Sequence, residues 1–314
     1  LALAAAGPGP VLEEARFSVW LRCLDLSSAP APAYRAYLAA GPPPELAASA
    51  RLALLGRLVA AGELIAAAAE RELLPAATQA AADELLLAAR DAGIRLAAAR
   101  RLSTSSPRRL AARAPELEQR LLPELAPGER LARARAWQRE GSPARAAAEL
   151  RRLRWQGPPE AERRRELARA ELAAGSPRAA LAALPGGRDA TPEDLVLRAH
   201  AHRNRAWQLF PDRNDTAAFA DCAGAASSAL AAANRGPERT AAPELELECA
   251  TEAGRLDAAF GAWRALAADG WDGDRREWLG RRLGVALALK EDGSARAREL
   301  ARSLPSQARC LQFW

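Results

Sequence analysis

The side chains with the widest chemical reach in this sequence are two histidines, four cysteines, eight tryptophans and a large stock of arginine. His200-Ala201-His202 holds both histidines, and positions i and i+2 of a helix point apart, so the pair does not chelate one metal and reads as structural or exposed. A Ser-His-Asp or Cys-His mechanism would have to draw on one of the two, and neither has a recognisable nucleophile motif beside it. Cys23, Cys222, Cys249 and Cys310 stand far apart without a CxxC pair, which sets aside zinc and redox motifs. Isolated buried thiols are the favoured reading; bridges between Cys222 and Cys249, or Cys23 and Cys310, stay open if the compartment is oxidising.

The carboxylates are numerous, yet Glu63, Glu140, Glu252 and Glu291 read as turn or surface residues, and a paired-carboxylate glycosidase site is disfavoured. Gly254, Gly261, Gly270 and Gly273 are not spaced as a dinucleotide or phosphate loop, and no GKS or GKT follows a glycine run. The Asn214-Asp215-Thr216 sequon reads as incidental. The sequence therefore predicts no catalytic residue, no metal and no cofactor. What remains is binding chemistry. Arg163, Arg164 and Arg165, flanked by Glu162 and Glu166, form either a solvated helix face or a basic stripe. Most tryptophans should anchor the core. Trp207, which follows Arg205 in His202-Arg203-Asn204-Arg205-Ala206-Trp207, and Trp271, beside Asp272 and Asp274, could instead stack on sugar rings. The candidate substrate-binding residues are thus Arg163, Arg164, Arg165, Arg205, Trp207 and Trp271.

The elements that would carry these residues are helices. Of 314 residues, 49% are hydrophobic, much of that Ala, and 5% aromatic, which suits closely packed helices and leaves little for sheets. That length exceeds a usual single core, so several domains or an elongated repeat array is expected. Net charge is +6, a mild attraction to anionic polymers or membrane surfaces that falls short of a nucleic-acid signature. Among 45 basic residues only Lys290 is a lysine, a skew that a GC-rich bacterial genome explains. No apolar run approaches the ~18 residues that span a bilayer. The absence of Met and the start at Leu1 read as a piece of a larger product. The opening Leu1-Ala2-Leu3-Ala4-Ala5-Ala6-Gly7 suits either the tail of a secretory signal or an Ala-rich helix start.

A glycine followed five residues later by alanine recurs at Gly62/Ala67, Gly93/Ala98, Gly141/Ala146, Gly175/Ala180 and Gly254/Ala259. This is the grammar of a helical hairpin: a left-handed glycine stops one helix, and a small residue lets the next pack tightly against it. Ala134 and Ala168 stand seven residues before Gly141 and Gly175, where the partner helix must approach. Gly141-Ser142-Pro143 and Gly175-Ser176-Pro177 read as helix stop, N-cap serine and first-turn proline, separated by the 34 residues of a TPR unit. Apolar stripes at Leu256, Ala259, Phe260, Trp263 and Ala267, at Ala146, Leu150 and Leu153, and at Leu279, Leu283, Ala286 and Leu287 fit helices. Breaks are expected at residues 30–32, 41–44, 103–107, 123–127, 157–159, 185–192, 211–216, 236–243 and 270–274, with one irregular pair over 198–235. The predicted fold is an all-α, TPR-like superhelix of antiparallel helix pairs, with parts 1–127, 128–269 and 270–314.

From about Gly128 onward the sequence resembles the N-terminal superhelical region of soluble lytic murein transglycosylases. The carriers are the Gly-x4-Ala hairpins, Gly254-Arg255-Leu256-Asp257-Ala258-Ala259, the run Arg276-Glu277-Trp278-Leu279-Gly280-Arg281-Arg282-Leu283-Gly284, and the ending Arg309-Cys310-Leu311-Gln312-Phe313-Trp314. The resemblance implies a periplasmic, monomeric, non-catalytic superhelix that positions peptidoglycan glycan strands or cell-wall proteins for a C-terminal lysozyme-like domain. That domain would use a glutamate in a Glu-Ser motif; no Glu-Ser dipeptide occurs here, so no catalytic residue carries over. No nucleic-acid partner and no integral membrane segment are implied. The alternative is a free-standing TPR-type scaffold for protein partners.

Overall fold

The computed structural model describes residues 10–153, 158–186, 189–209, 216–232, 238–271, 274–290 and 295–303. The chain is all-helical: among the described residues there are α-helices and a short 3-10 turn and no strand. It divides into two compact units, Leu1–Gly141 and Ser142–Trp314.

The first unit holds α1 (Pro10–Leu26), α2 (Ala31–Ala39), α3 (Pro44–Ala61), α4 (Leu64–Glu72), α5 (Ala76–Leu86), α6 (Ala92–Ser105), α7 (Pro107–Arg113), α8 (Pro115–Leu121) and α9 (Pro127–Arg139). Proline opens most of these helices at N1 or N2, where its missing N–H would be unpaired anyway. Leu54, Leu55, Leu58, Leu86, Leu102 and Leu110 fill the core with Tyr34 and Tyr37. Phe17 and Trp20 meet Tyr37 edge-on, with ring centroids 5.6 and 5.1 Å away. Among the described residues of this unit two charged side chains are buried, Arg133 and Asp83; Asp83, 1% exposed, accepts from Arg71 Nε and Nη2 at 3.1 and 3.0 Å and from Arg101 Nε at 2.7 Å. The network ties α4, α5 and α6 together.

The second unit holds α10 (Pro143–Arg152), α11 (Pro158–Ala173), α12 (Pro177–Ala183), α13 (Pro192–Leu209), α14 (Thr216–Ala232), α15 (Glu238–Glu252), α16 (Leu256–Ala268), α17 (Asp274–Lys290) and α18 (Ala295–Ser303). Each of these helices packs on its neighbour in sequence, and contacts skip one helix along the row α11, α13, α15, α17. Small residues set the spacing: Cys222, Ala226 and Ala229 of α14 meet Ala242, Cys249 and Ala250 of α15, all fully buried. A disulfide joins Cys222 to Cys249 and staples α14 to α15. This corrects the expectation of isolated buried thiols, and Cys23 departs from it too, being free and exposed on α1. The two half-cystines face each other across the α14/α15 packing, Cα atoms 5.9 Å apart, a coincidence that spacing along the sequence does not reveal. Cys310 lies outside the described residues, as do Trp155, Trp314, Asp272 and the ending from Arg309.

The hairpin grammar holds at four of its five sites. Gly62, Gly141, Gly175 and Gly254 have φ of 79°, 71°, 75° and 71°, a region that penalises any Cβ, while Ala67, Ala98, Ala146, Ala180 and Ala259 are fully buried. Gly93 is the exception. It sits in the first turn of α6, whose start is fixed by Asp91 accepting from Ile94 N at 2.8 Å. Ser142 and Ser176 occupy N-cap positions, yet neither side chain makes a capping bond. The break over 236–243 is shorter than expected: α15 begins at Glu238 and runs through Pro243, losing one backbone bond while burying Ala242, Leu245 and Leu247. The stripe on α16 closes at Leu266, leaving Ala267 exposed. The ammonium of Lys290, at the end of α17, lies over Gly254, where an added Cβ would come 2.5 Å from Nζ.

Candidate functional site

The three consecutive arginines of α11 do not form one stripe: neighbouring helical positions turn by about 100°, and Arg165 parts from Arg163 and Arg164. Arg163 forms a two-pronged pair with Glu160, at 2.7 and 2.6 Å, and donates from Nη1 to the Leu150 carbonyl at 2.9 Å. Arg164 reaches the same carboxylate at 2.9 Å. These bonds, Arg163 first, hold the Glu160 carboxyl down to about 2. Arg165 turns instead toward α13, 3.3 Å from Glu193 and 4.0 Å from Asp194. Arg163 and Arg164 line an open groove of about 600 Å³ between α11 and α12, with Arg151 at its rim paired to the buried Glu171 at 2.5 Å. Ala179, Ala182 and Ala183 of α12 also line it.

Arg205 and Trp207 share α13 but not a face. The Arg205 Nε is buried without a hydrogen-bond partner, and its charge acts on His202. His202 is pushed below its ordinary value first by burial, against the pull of Asp221 3.7 Å away, with Arg198 and Arg205 adding to the downward shift. Trp271 packs edge-on against Trp263, centroids 6.0 Å apart, and its carbonyl accepts from Arg276 at 2.9 Å. It belongs to the core margin.

Trp207 leads to a constellation across α13, α15 and α17. Its indole N–H donates to Glu248 Oε1 at 3.3 Å, and its ring meets Phe219 edge-on at 5.1 Å. Glu248, 4% exposed, also accepts from Arg275 Nη2 at 2.6 Å and Arg203 Nη1 at 3.4 Å. One helical turn on, Glu252 pairs with Arg282. The Arg282 guanidinium lies 5.2 Å from the Trp207 ring centroid and 4.7 Å from that of Trp278, and Arg275 covers Trp278 as well, at 5.3 Å. A guanidinium stacked on an aromatic ring keeps its in-plane N–H donors free to take a carboxylate edge-on. The result is a band in which arginine, indole and carboxylate alternate over three helices.

Burial sets the titration of this band. His200, beside Glu248, Arg203 and Arg275, is lowered to about 4, mainly by burial and then by Arg203, so it is neutral near pH 7. Burial raises the Glu252 carboxyl, opposed by Arg282 and reinforced by Glu248. Among the described residues no group of three or more His, Cys, Asp or Glu could hold a metal ion.

Of the predicted set, the structure brings only Trp207 to this band. Sequence reasoning missed Arg203, Glu248, Arg275, Trp278 and Arg282. A signal existed: Arg275, Trp278 and Arg282 fall at i, i+3 and i+7, and Glu248 and Glu252 at i and i+4, so each set shares a helix face. No family model, curated protein or solved structure matches the chain.

Proposed function

We propose that this chain is the non-catalytic superhelical region of a periplasmic lytic transglycosylase, a TPR-like array acting as a monomer, and that the α13/α15/α17 band retains peptidoglycan. The carrying observation is Arg282 set between Trp207 and Trp278 and beside Glu252. Peptidoglycan offers stem-peptide carboxylates to guanidinium edges and apolar sugar faces to indoles, and its carboxylates can exchange for Glu252 on Arg282. Row-wise helix packing, the left-handed glycines and the buried alanines support the repeat architecture. The Cys222–Cys249 bridge supports an oxidising compartment. No helix among the described residues is long and apolar enough to cross a membrane.

Co-sedimentation with purified sacculi tests the reading. Arg282→Ala should weaken retention by about tenfold, the loss of one charge-assisted contact, and Arg164→Ala should change it little. Unchanged retention in Arg282→Ala and Arg203→Ala proteins overturns it. The second reading, a scaffold for protein or peptide partners, is favoured by the internal pairing of Arg151, Arg163, Arg164 and Arg165, which leaves little free positive charge on α10 and α11 for an anionic polymer. A chain that ignores sacculi entirely leaves that reading standing.

A further inference from the structure

α17 is apolar on two sides. Leu279, Leu283 and Leu287 face the core, as expected of an amphipathic helix. A second stripe faces outward: Trp278, 41% exposed, Val285, 45%, and Leu289, 80%, at spacings of seven and four residues. Such a stripe on a folded helix needs an explanation, and its electrostatic setting supplies one. Residues 274–303 carry eight Arg and Lys against five Asp and Glu, so a tenth of the chain holds half of the +6 net charge. Arg281, beside Glu277, and Lys290 on α17 and Arg298 and Arg302 on the adjoining α18 are exposed. The most exposed large apolar side chain, Ile65 at 89%, stands in a different field, on α4 with Glu63, Glu70 and Glu72 close by in sequence.

We infer that the outer face of α17 docks on an anionic phospholipid surface, with Trp278, Val285 and Leu289 entering the headgroup layer and the flanking cations on lipid phosphates. A helix that presents an aromatic and two aliphatic side chains between basic residues has the form of an interfacial anchor, and indoles favour that depth. The cation excess selects a negative surface over a neutral one and makes the attachment salt-sensitive. The docking is reversible, because three side chains bury far less apolar area than a spanning helix.

The test is co-sedimentation of the full chain with vesicles of phosphatidylcholine containing about a third phosphatidylglycerol, against phosphatidylcholine alone. Binding is expected only to the anionic vesicles and is lost at high salt. Leu289→Glu and Val285→Glu should each weaken it by about tenfold. Arg298→Gln should weaken it by about fivefold, and Ile65→Glu should leave it unchanged. All four positions are exposed, and an unaltered circular dichroism spectrum confirms that the variants fold. Absence of binding to anionic vesicles, equal binding to neutral ones, or full binding by the folded Leu289→Glu and Val285→Glu proteins overturns the inference. Trp278 belongs to both faces, but Val285 and Leu289 lie outside the band and sacculus retention is measured without lipid, so failure of one reading is distinguishable from failure of the other.

Discussion

The two units bury charge in different settings. The first encloses it: Asp83 sits inside between Arg71 and Arg101, and the surrounding core is leucine and tyrosine. The second packs α14 and α15 through small residues under a disulfide, buries acids that include Glu171, Asp194 and Glu248, and sets Glu248 in a band with indoles across α13, α15 and α17. An enclosed network cannot meet a ligand without unfolding its shell, whereas the band can exchange an internal carboxylate for an external one. On the proposed reading, the second unit is the binding part and the first is framework.

The largest effect expected from breaking this contrast is at Asp83. Asp83→Ala leaves the half-buried Arg71 without its main partner and should cost about 3 kcal/mol in denaturant unfolding, with amide protection lost in the first unit only. Equal in size is the staple. Cys222→Ala with Cys249→Ala opens a loop of 27 residues and should cost about 3 kcal/mol, read as lost protection in α14 and α15.

Acid should then separate the units. Both histidines lie in the second unit. In the unfolded chain a histidine takes up its proton near 6.5, while folded His200 stays neutral down to about 4. As pH falls between these values the unfolded state binds the proton first, so the second unit should lose about 3 kcal/mol over that window and nothing above it. His200→Gln should flatten the slope in a pH series of unfolding curves.

The smallest effect probes what the units share. Gly62→Ala and Gly175→Ala, one in each unit, place a Cβ on a left-handed residue in open space and should each cost about 1 kcal/mol. A marked difference between them in thermal unfolding would show that the hairpin turns are not equivalent.

Local rules made much of the helical layout legible. Glycine conformation and alanine burial depend on one turn and the helix beside it, so Gly175 and Ala180 could be read in advance. Gly93 misleads because the same spacing also arises inside a helix when an aspartate fixes the start. Pro243 misleads because burial around α15 outweighs one lost backbone bond. The band was less legible: its members come from helices 41 residues apart at Trp207 and Glu248, and only packing decides which faces meet. Arg163 illustrates the reverse error, since a run of like charges looks continuous in sequence while the helix gives Arg163 and Arg164 to Glu160 and turns Arg165 to Glu193.

Lys290 over Gly254 has a practical consequence. As the chain's single lysine, it offers amine-selective acylating reagents one ε-amine, at the end of α17. Its labelling rate, followed by mass spectrometry, is a built-in reporter of anything that covers that helix, and needs no engineered tag.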